Sequence, residues 1–289
     1  MDERITKLKS AGLSDEQISS ILGSSFTTEE YINVRPLDKD PYIEIKGLPS
    51  GGRYYKNKMG IPTKLKGMPL KVRDAITLEA MGNSLDSALL DNIFEKRLSG
   101  VNPGDILVGD ELYILAWLRE QTFTRTPLVV DYTCDRCEHF NEDKVVSIDD
   151  LMVYSLPETI TDPMSCVLPI SGEEIKIRFM RRKDKVRIAN HIKENDSLRT
   201  LGKDDIKLYE IASVIFGMGI TDAVEKLESM DPHDFAVLNN FYVKMNFGFT
   251  QTAFMKCEKE ECGYLNIVPV PFQSGYFLPK IGPDLSNQN

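Results

Sequence analysis

Five cysteines carry most of the chemistry this chain could offer, and four of them fall in pairs. Cys134 and Cys137 are separated by two residues, Cys257 and Cys262 by four. A short loop of this kind turns two sulfurs toward one point. Two such loops supply four thiolates to one tetrahedral zinc ion, at about 2.3 Å. Gly263, directly after Cys262, suits a tight knuckle because glycine adopts positive φ without a steric penalty. Charged residues crowd both pairs (Asp135, Arg136, Glu138; Glu258, Lys259, Glu260, Glu261), which puts the loops in water and argues against unligated core cysteines. A redox pair at Cys134–Cys137 lacks the βαβ surroundings of a thioredoxin-like motif. His139 is the alternative ligand for one position. Cys166 stands in the apolar run Cys-Val-Leu-Pro-Ile and reads as core. Four thiolates leave no coordination position for water, so the implied zinc is structural and not catalytic.

The elements around the cysteines must present them in hairpins. Pro127–Thr133 is rich in β-branched and aromatic residues and predicts a strand into the first pair, and Lys144–Ile148 predicts the returning strand. Phe247–Met255 and Tyr264–Pro269 predict the strands flanking the second pair. The pairs lie 119 residues apart. Closure of so long a loop costs only a few kcal/mol, since the cost grows with the logarithm of length. The expected fold is α+β: a mostly helical body, short β-hairpins, and a discontinuous zinc-ribbon-like sheet built from two separated knuckles. The ribbon comprises 127–148 and 247–272, and 149–246 is an inserted hairpin and helical subdomain. Inside it, Ser165–Pro169 and Glu174–Phe179 flank Ser171-Gly172, a hairpin pattern. Helices are predicted through Lys185–Lys193 and Asp204–Phe216, with Thr221 capping another. Asp231-Pro232, an N-cap followed by proline, starts a further helix.

Ahead of the ribbon, residues 1–26 predict a helical hairpin without a basic recognition face. Residues 27–126 combine a proline- and glycine-rich stretch with a helical block in which Ser84 and Asp110 are candidate caps. Extended pieces are expected at Tyr42–Lys46 and Leu65–Lys71. Residues 273–289 read as a polar tail.

The one dense cationic stretch contains Lys176, Arg178, Arg181, Arg182, Lys183, Lys185 and Arg187. It is the candidate partner-docking surface, for an acidic protein or, in the alternative reading, for nucleic acid bound by a zinc-ribbon regulator. The whole chain has 35 basic and 44 acidic residues, a net charge of −9, which disfavours bulk nucleic-acid binding. With 42% apolar and 27% charged residues in 289, the composition is that of a soluble globular protein of about two domains. The longest apolar run, Leu112–Leu118, is seven residues, well short of the roughly 20 of a membrane span. No secretory signal is visible in MDERITKLKS. No nucleophile elbow, Walker motif, dinucleotide fingerprint or zinc-protease motif occurs, and no catalytic residue is assigned.

The order of these parts carries a resemblance. Leu48-Pro49-Ser50-Gly51-Gly52-Arg53-Tyr54-Tyr55 leads to the extended Leu70-Lys71-Val72-Arg73 and then to a helix. A two-cysteine knuckle follows the first helical block. The helix at Asp231-Pro232 then leads into a strand and a second knuckle. Over residues 45–270 this resembles the baseplate hub and hub-assembly proteins of T-even-like contractile-tailed bacteriophages. Two departures stand out: Glu138 where a glycine is common, and four residues inside the second pair. The resemblance implies a non-enzymatic structural or assembly protein with other baseplate or tail proteins as partners. Its place would be the virion tail baseplate, or the host cytoplasm during assembly.

Overall fold

The computed structural model describes residues 41–57, 59–81, 87–124, 127–194, 203–270 and 276–278. The expected hairpin at 1–26, the Ser84 cap and, apart from 276–278, the tail at 273–289 lie outside the described residues. In chain order the elements are β1 (Ile43–Glu44), β2 (Lys66–Gly67), α1 (Val72–Met81), α2 (Ser87–Arg97), β3 (Leu98–Ser99) and α3 (Val108–Thr122). There follow β4 (Leu128–Thr133), β5 (Phe140–Val146), β6 (Leu151–Tyr154), β7 (Met164–Val167) and β8 (Glu174–Ile177). The chain continues through α4 (Arg182–Glu194), α5 (Lys203–Val214), α6 (Ile220–Glu228), α7 (Pro232–Lys244), β9 (Gly248–Lys256) and β10 (Leu265–Pro269). Helices form the body, and all strand pairs are antiparallel.

The apolar run Leu112–Leu118 is explained by α3, which is buried around most of its circumference, including Tyr113, Ile114, Leu115, Trp117 and Leu118. A helix that is apolar on all sides belongs at the centre of a domain. Close backbone approach is built in at Gly109: a Cβ there would sit 2.6 Å from both Cε2 and the carbonyl oxygen of Phe247. The entry to β9 therefore lies directly on the first turn of α3.

Asp110 does not cap this helix. The helix starts earlier, at Val108 after Leu107, and the Asp110 carboxylate turns instead to the Pro-Ser-Gly-Gly loop. It accepts hydrogen bonds from the Ser50 amide (2.9 Å), the Ser50 hydroxyl (2.5 Å) and the Tyr55 hydroxyl (2.6 Å). Burial raises its pKa, and the Ser50 and Tyr55 hydrogen bonds oppose that rise. Arg53 completes the lock by donating to the carbonyls of Leu156, Pro157 and Glu158. The loop thus joins the central helix to the chain beyond β6.

Other boundaries follow local chemistry. Asp231 caps α7, its carboxylate accepting from the His233 amide at 2.8 Å, with Pro232 in the first turn, as the sequence predicts. Thr221 lies inside α6, whose N-cap is Gly219. Strand β5 begins at Phe140, four residues before the predicted start, because its polar first half is not written in β-branched residues.

Two differences concern the ribbon. The knuckles stand on two sheets and not on one interrupted sheet: β4–β5 form a pair, and the second sheet runs β10-β9-β6. Strand β6, read from sequence as part of the insertion, pairs with β9 through Leu151↔Ala253 and Tyr154↔Gly248. With only four residues, β6 offers too short a pattern to be read without its partner.

Candidate metal centre

The four paired cysteines converge. Their sulfurs all lie within 4.8 Å of one another. Cys134 Sγ is 3.8 Å from Cys262 Sγ, and Cys137 Sγ is 3.7 Å from Cys257 Sγ. A tetrahedron with metal–sulfur bonds of about 2.3 Å has edges of about 3.8 Å. Two edges already have that length and none exceeds 4.8 Å, so the donor set fits one tetrahedral divalent ion. Cys134 and Cys257 are buried, while Cys137 and Cys262 are partly exposed. His139 is exposed and stands outside the cluster. Cys166 is buried in β7, away from the four, and burial raises its pKa.

Each sulfur pair is shaped by its own turn. After β4, Cys134 donates its amide to the His139 carbonyl (2.9 Å), and Glu138 donates to the Cys134 carbonyl (2.9 Å). After β9, Cys257 donates to the Tyr264 carbonyl (2.8 Å), and the extra residues fold as a turn in which Cys262 donates to the Lys259 carbonyl (2.8 Å). Both turns then need a left-handed residue directly after the second cysteine. Glu138 has φ 57° and Gly263 has φ 53°. Glu138 thus adopts the conformation that Gly263 adopts in the other turn, at a cost of roughly 1–2 kcal/mol.

The electrostatics of the two turns differ. Burial disfavours the Cys134 thiolate, but the amides of Arg136 and Cys137 and the sulfurs of Cys137 and Cys257 outweigh it and lower its pKa to about 6. At Cys262 the Tyr264 amide favours the thiolate, while burial and hydrogen bonds with the Cys137 and Cys134 sulfurs prevail and shift it up.

Two asparagines went unread in the sequence. Asn141 and Asn266 are 0% and 2% exposed, and each bridges its own turn to the other. Asn141 Oδ1 accepts from the Glu258 amide, and Asn266 Oδ1 accepts from the Asp135 amide, both at 2.9 Å. The signal was available: each asparagine stands four positions after the second cysteine of its pair. Tyr132 adds a further tie, donating its hydroxyl to the Lys256 carbonyl at 2.8 Å, and Lys144 pairs with Glu258.

The cationic stretch is placed elsewhere, from β8 into α4. Arg178 makes a bidentate pair with Asp184 (2.6 and 2.8 Å). Arg181 pairs with Asp162 at 3.2 Å and lies 3.8 Å from Asp105. Arg182 is 1% exposed, 2.8 Å from both Asp91 and Glu111, and stacks over Phe94. Lys183 pairs with Asp105, Lys185 with Glu111 and Arg187 with Asp184. Lys176 is exposed and makes no ion pair among the described residues. The stretch fastens α4 to α2, α3 and the turn at Pro103–Asp105, and its charge is largely met by carboxylates of the chain itself. A nucleic-acid surface needs cations free to displace counterions from phosphates.

No protein-family model matches the chain, and comparisons with curated proteins and with solved structures give no match. Among the described residues, no helix is long and apolar enough to cross a membrane.

Proposed function

We propose that this chain is a non-enzymatic structural or assembly protein of a bacteriophage contractile-tail baseplate, in the hub region, built around a structural zinc centre. The observation that carries the structural-zinc half of the reading is the closed set of four thiolates, Cys134, Cys137, Cys257 and Cys262, drawn from two hairpins on different sheets. A tetrathiolate ion has no site for substrate or water. What it supplies is a staple between β4–β5 and β9–β10, and through β9 to the central helix.

The order of the Pro-Ser-Gly-Gly loop, helical block, knuckle, capped helix and second knuckle supports the baseplate assignment. The outer face of the second hairpin supports a docking role. Phe254 and Ile267 are cross-strand partners, and with Leu265 they are 41%, 57% and 54% exposed. Leu265 and Ile267 are on β10, an edge strand of its sheet, and Phe254 is on the neighbouring β9. Exposed apolar side chains next to an open strand edge suit a protein neighbour. Partners are other baseplate or tail proteins, met in the host cytoplasm during assembly or in the finished tail.

Two measurements test this. Metal analysis of the purified, reduced chain is expected to give about one zinc per chain. Isolation of assembling tails with cross-linking is expected to recover the chain against baseplate proteins, through the Phe254–Ile267 face. A chain that binds no metal, or one never found in tail assemblies, overturns the corresponding half of the proposal.

A further inference from the structure

The two cysteine hairpins are related by an approximate two-fold exchange that their sequences do not advertise. Tyr132 corresponds to Met255, Cys134 to Cys257, Asp135 to Glu258, Cys137 to Cys262, Glu138 to Gly263, His139 to Tyr264, and Asn141 to Asn266. The exchange holds bond by bond. Asn141 is the cross-strand partner of Tyr132, and Asn266 of Met255. Asn141 Nδ2 donates to the carbonyls of His139 (3.0 Å) and Tyr132 (3.5 Å). Asn266 Nδ2 donates to the carbonyls of Tyr264 (3.2 Å) and Met255 (3.3 Å). Each amide oxygen then crosses to the other hairpin and holds the N–H directly after that hairpin's first cysteine. The sulfur contacts obey the same exchange, Cys134 with Cys262 and Cys137 with Cys257.

Only a primary amide can do this. It offers one acceptor and two N–H donors on a single short side chain. A buried residue of this kind needs its polar atoms matched, and here both the oxygen and the nitrogen of each asparagine are matched. The bonds fix the two features that decide whether four sulfurs can share one ion: the shape of each turn and the distance between the turns.

We infer that Asn141 and Asn266 are the positioning residues of the metal centre, each shaping its own cysteine turn with Nδ2 and fixing the opposite turn with Oδ1. The inference rests on the metal-centre reading above. It makes the site preorganised, with the ligands held near their final places before the ion arrives. Partners of metal ligands typically govern affinity by about 10–100-fold.

The test uses the full chain with Asn141→Ala, Asn266→Ala and the double variant. Cobalt(II) titration, read by its thiolate charge-transfer absorption, and zinc competition against a chelator give the affinities. Each single variant is expected to bind one ion about 10–100-fold more weakly. The double variant is expected to lose less than the product of the two, because both asparagines hold one shared geometry. Amide hydrogen exchange on the metal-free chain supplies a readout that general loosening would not move. Asn141→Ala is expected to speed exchange most at Glu258, which loses its direct partner, and Asn266→Ala most at Asp135. Asn141→Asp separates the two roles of the amide: it keeps the acceptor for Glu258, loses the donors to His139 and Tyr132, and adds a charge beside four thiolates. It is expected to weaken cobalt binding while Glu258 stays protected. Wild-type chain that binds cobalt while every variant binds as tightly overturns this inference alone, and so does exchange that rises equally at Glu258 and Asp135 in both variants. Wild-type chain that takes up neither cobalt nor zinc overturns the metal centre itself, and the positioning role with it.

Discussion

The first cysteine turn holds two residues between its ligands and closes on Glu138; the second holds four and closes on Gly263. Their ends nevertheless coincide in kind. Both enter from a strand, both place a left-handed residue after the second cysteine, and both are bridged by a buried asparagine four positions further on. The difference is absorbed in the second turn by the hydrogen bonds from Cys262 and Gly263 to the Lys259 carbonyl. Linear spacing is therefore a loose constraint on such a site. The tight constraints are the backbone conformation after the second ligand and the bond that reaches across to the other turn.

The comparison can be broken most severely at a ligand. Cys257→Ser and Cys134→Ser are each expected to take metal content from about one ion to none. A structural zinc supplies about 10–16 kcal/mol in small peptides, so both hairpins should lose stability together in either variant, while the asparagine bonds keep the turns formed. Helices α5–α7 carry none of the four cysteines and bury Ile211, Val214, Leu227 and Leu238 in the main core, and are expected to keep their far-ultraviolet circular dichroism. If only the mutated hairpin lost stability while the other kept its wild-type protection from exchange, the two turns would not share one ion.

A second contrast lies in their protonation. In the metal-free chain the Cys134 pKa falls from an ordinary 9.0 to about 6 on folding. A depressed pKa contributes stability that is full above pH 9 and is lost as pH falls through 6. Cys262 is shifted the other way, so its contribution declines as pH rises above its unfolded value. Chemical denaturation of the metal-free chain across this range, wild type against Cys134→Ser, is expected to show wild type losing its advantage between pH 9 and 6. A difference that does not vary with pH in that window would rule out the low-pKa thiol.

The smallest effects sharpen the comparison at the left-handed residues. Gly263→Ala puts a side chain at φ 53° and is expected to destabilise the metal-loaded chain by roughly 1–2 kcal/mol. Glu138→Gly removes the same strain but restores chain entropy to the unfolded state, which costs roughly 0.5–1 kcal/mol. The net gain is expected to be about 1 kcal/mol or less. Thermal or chemical unfolding of the two variants should move in opposite directions; movement in the same direction would mean that the turns are not equivalent.

The four paired cysteines, the four strands that carry them, the capped start of α7 and a helix over Leu112–Leu118 are all legible in the sequence. Each depends on chemistry or periodicity within one local window: thiol spacing, β-branched runs, an Asp-Pro start, seven apolar residues in a row. What only the tertiary structure decided concerns partners far apart in the chain. Strand β6 became a strand by pairing with β9, and the cysteine turns fell on separate sheets. Asp110 gave its carboxylate to a loop 60 residues away instead of to its own helix start. Arg181, Arg182, Lys183 and Lys185 found carboxylates from α2, α3 and the connections before α3 and β7, and so became fastenings of the fold. Asn141 and Asn266 are polar residues that local rules assign to the surface. They are buried because each amide satisfies, across more than a hundred residues, a backbone N–H that the other turn cannot satisfy for itself.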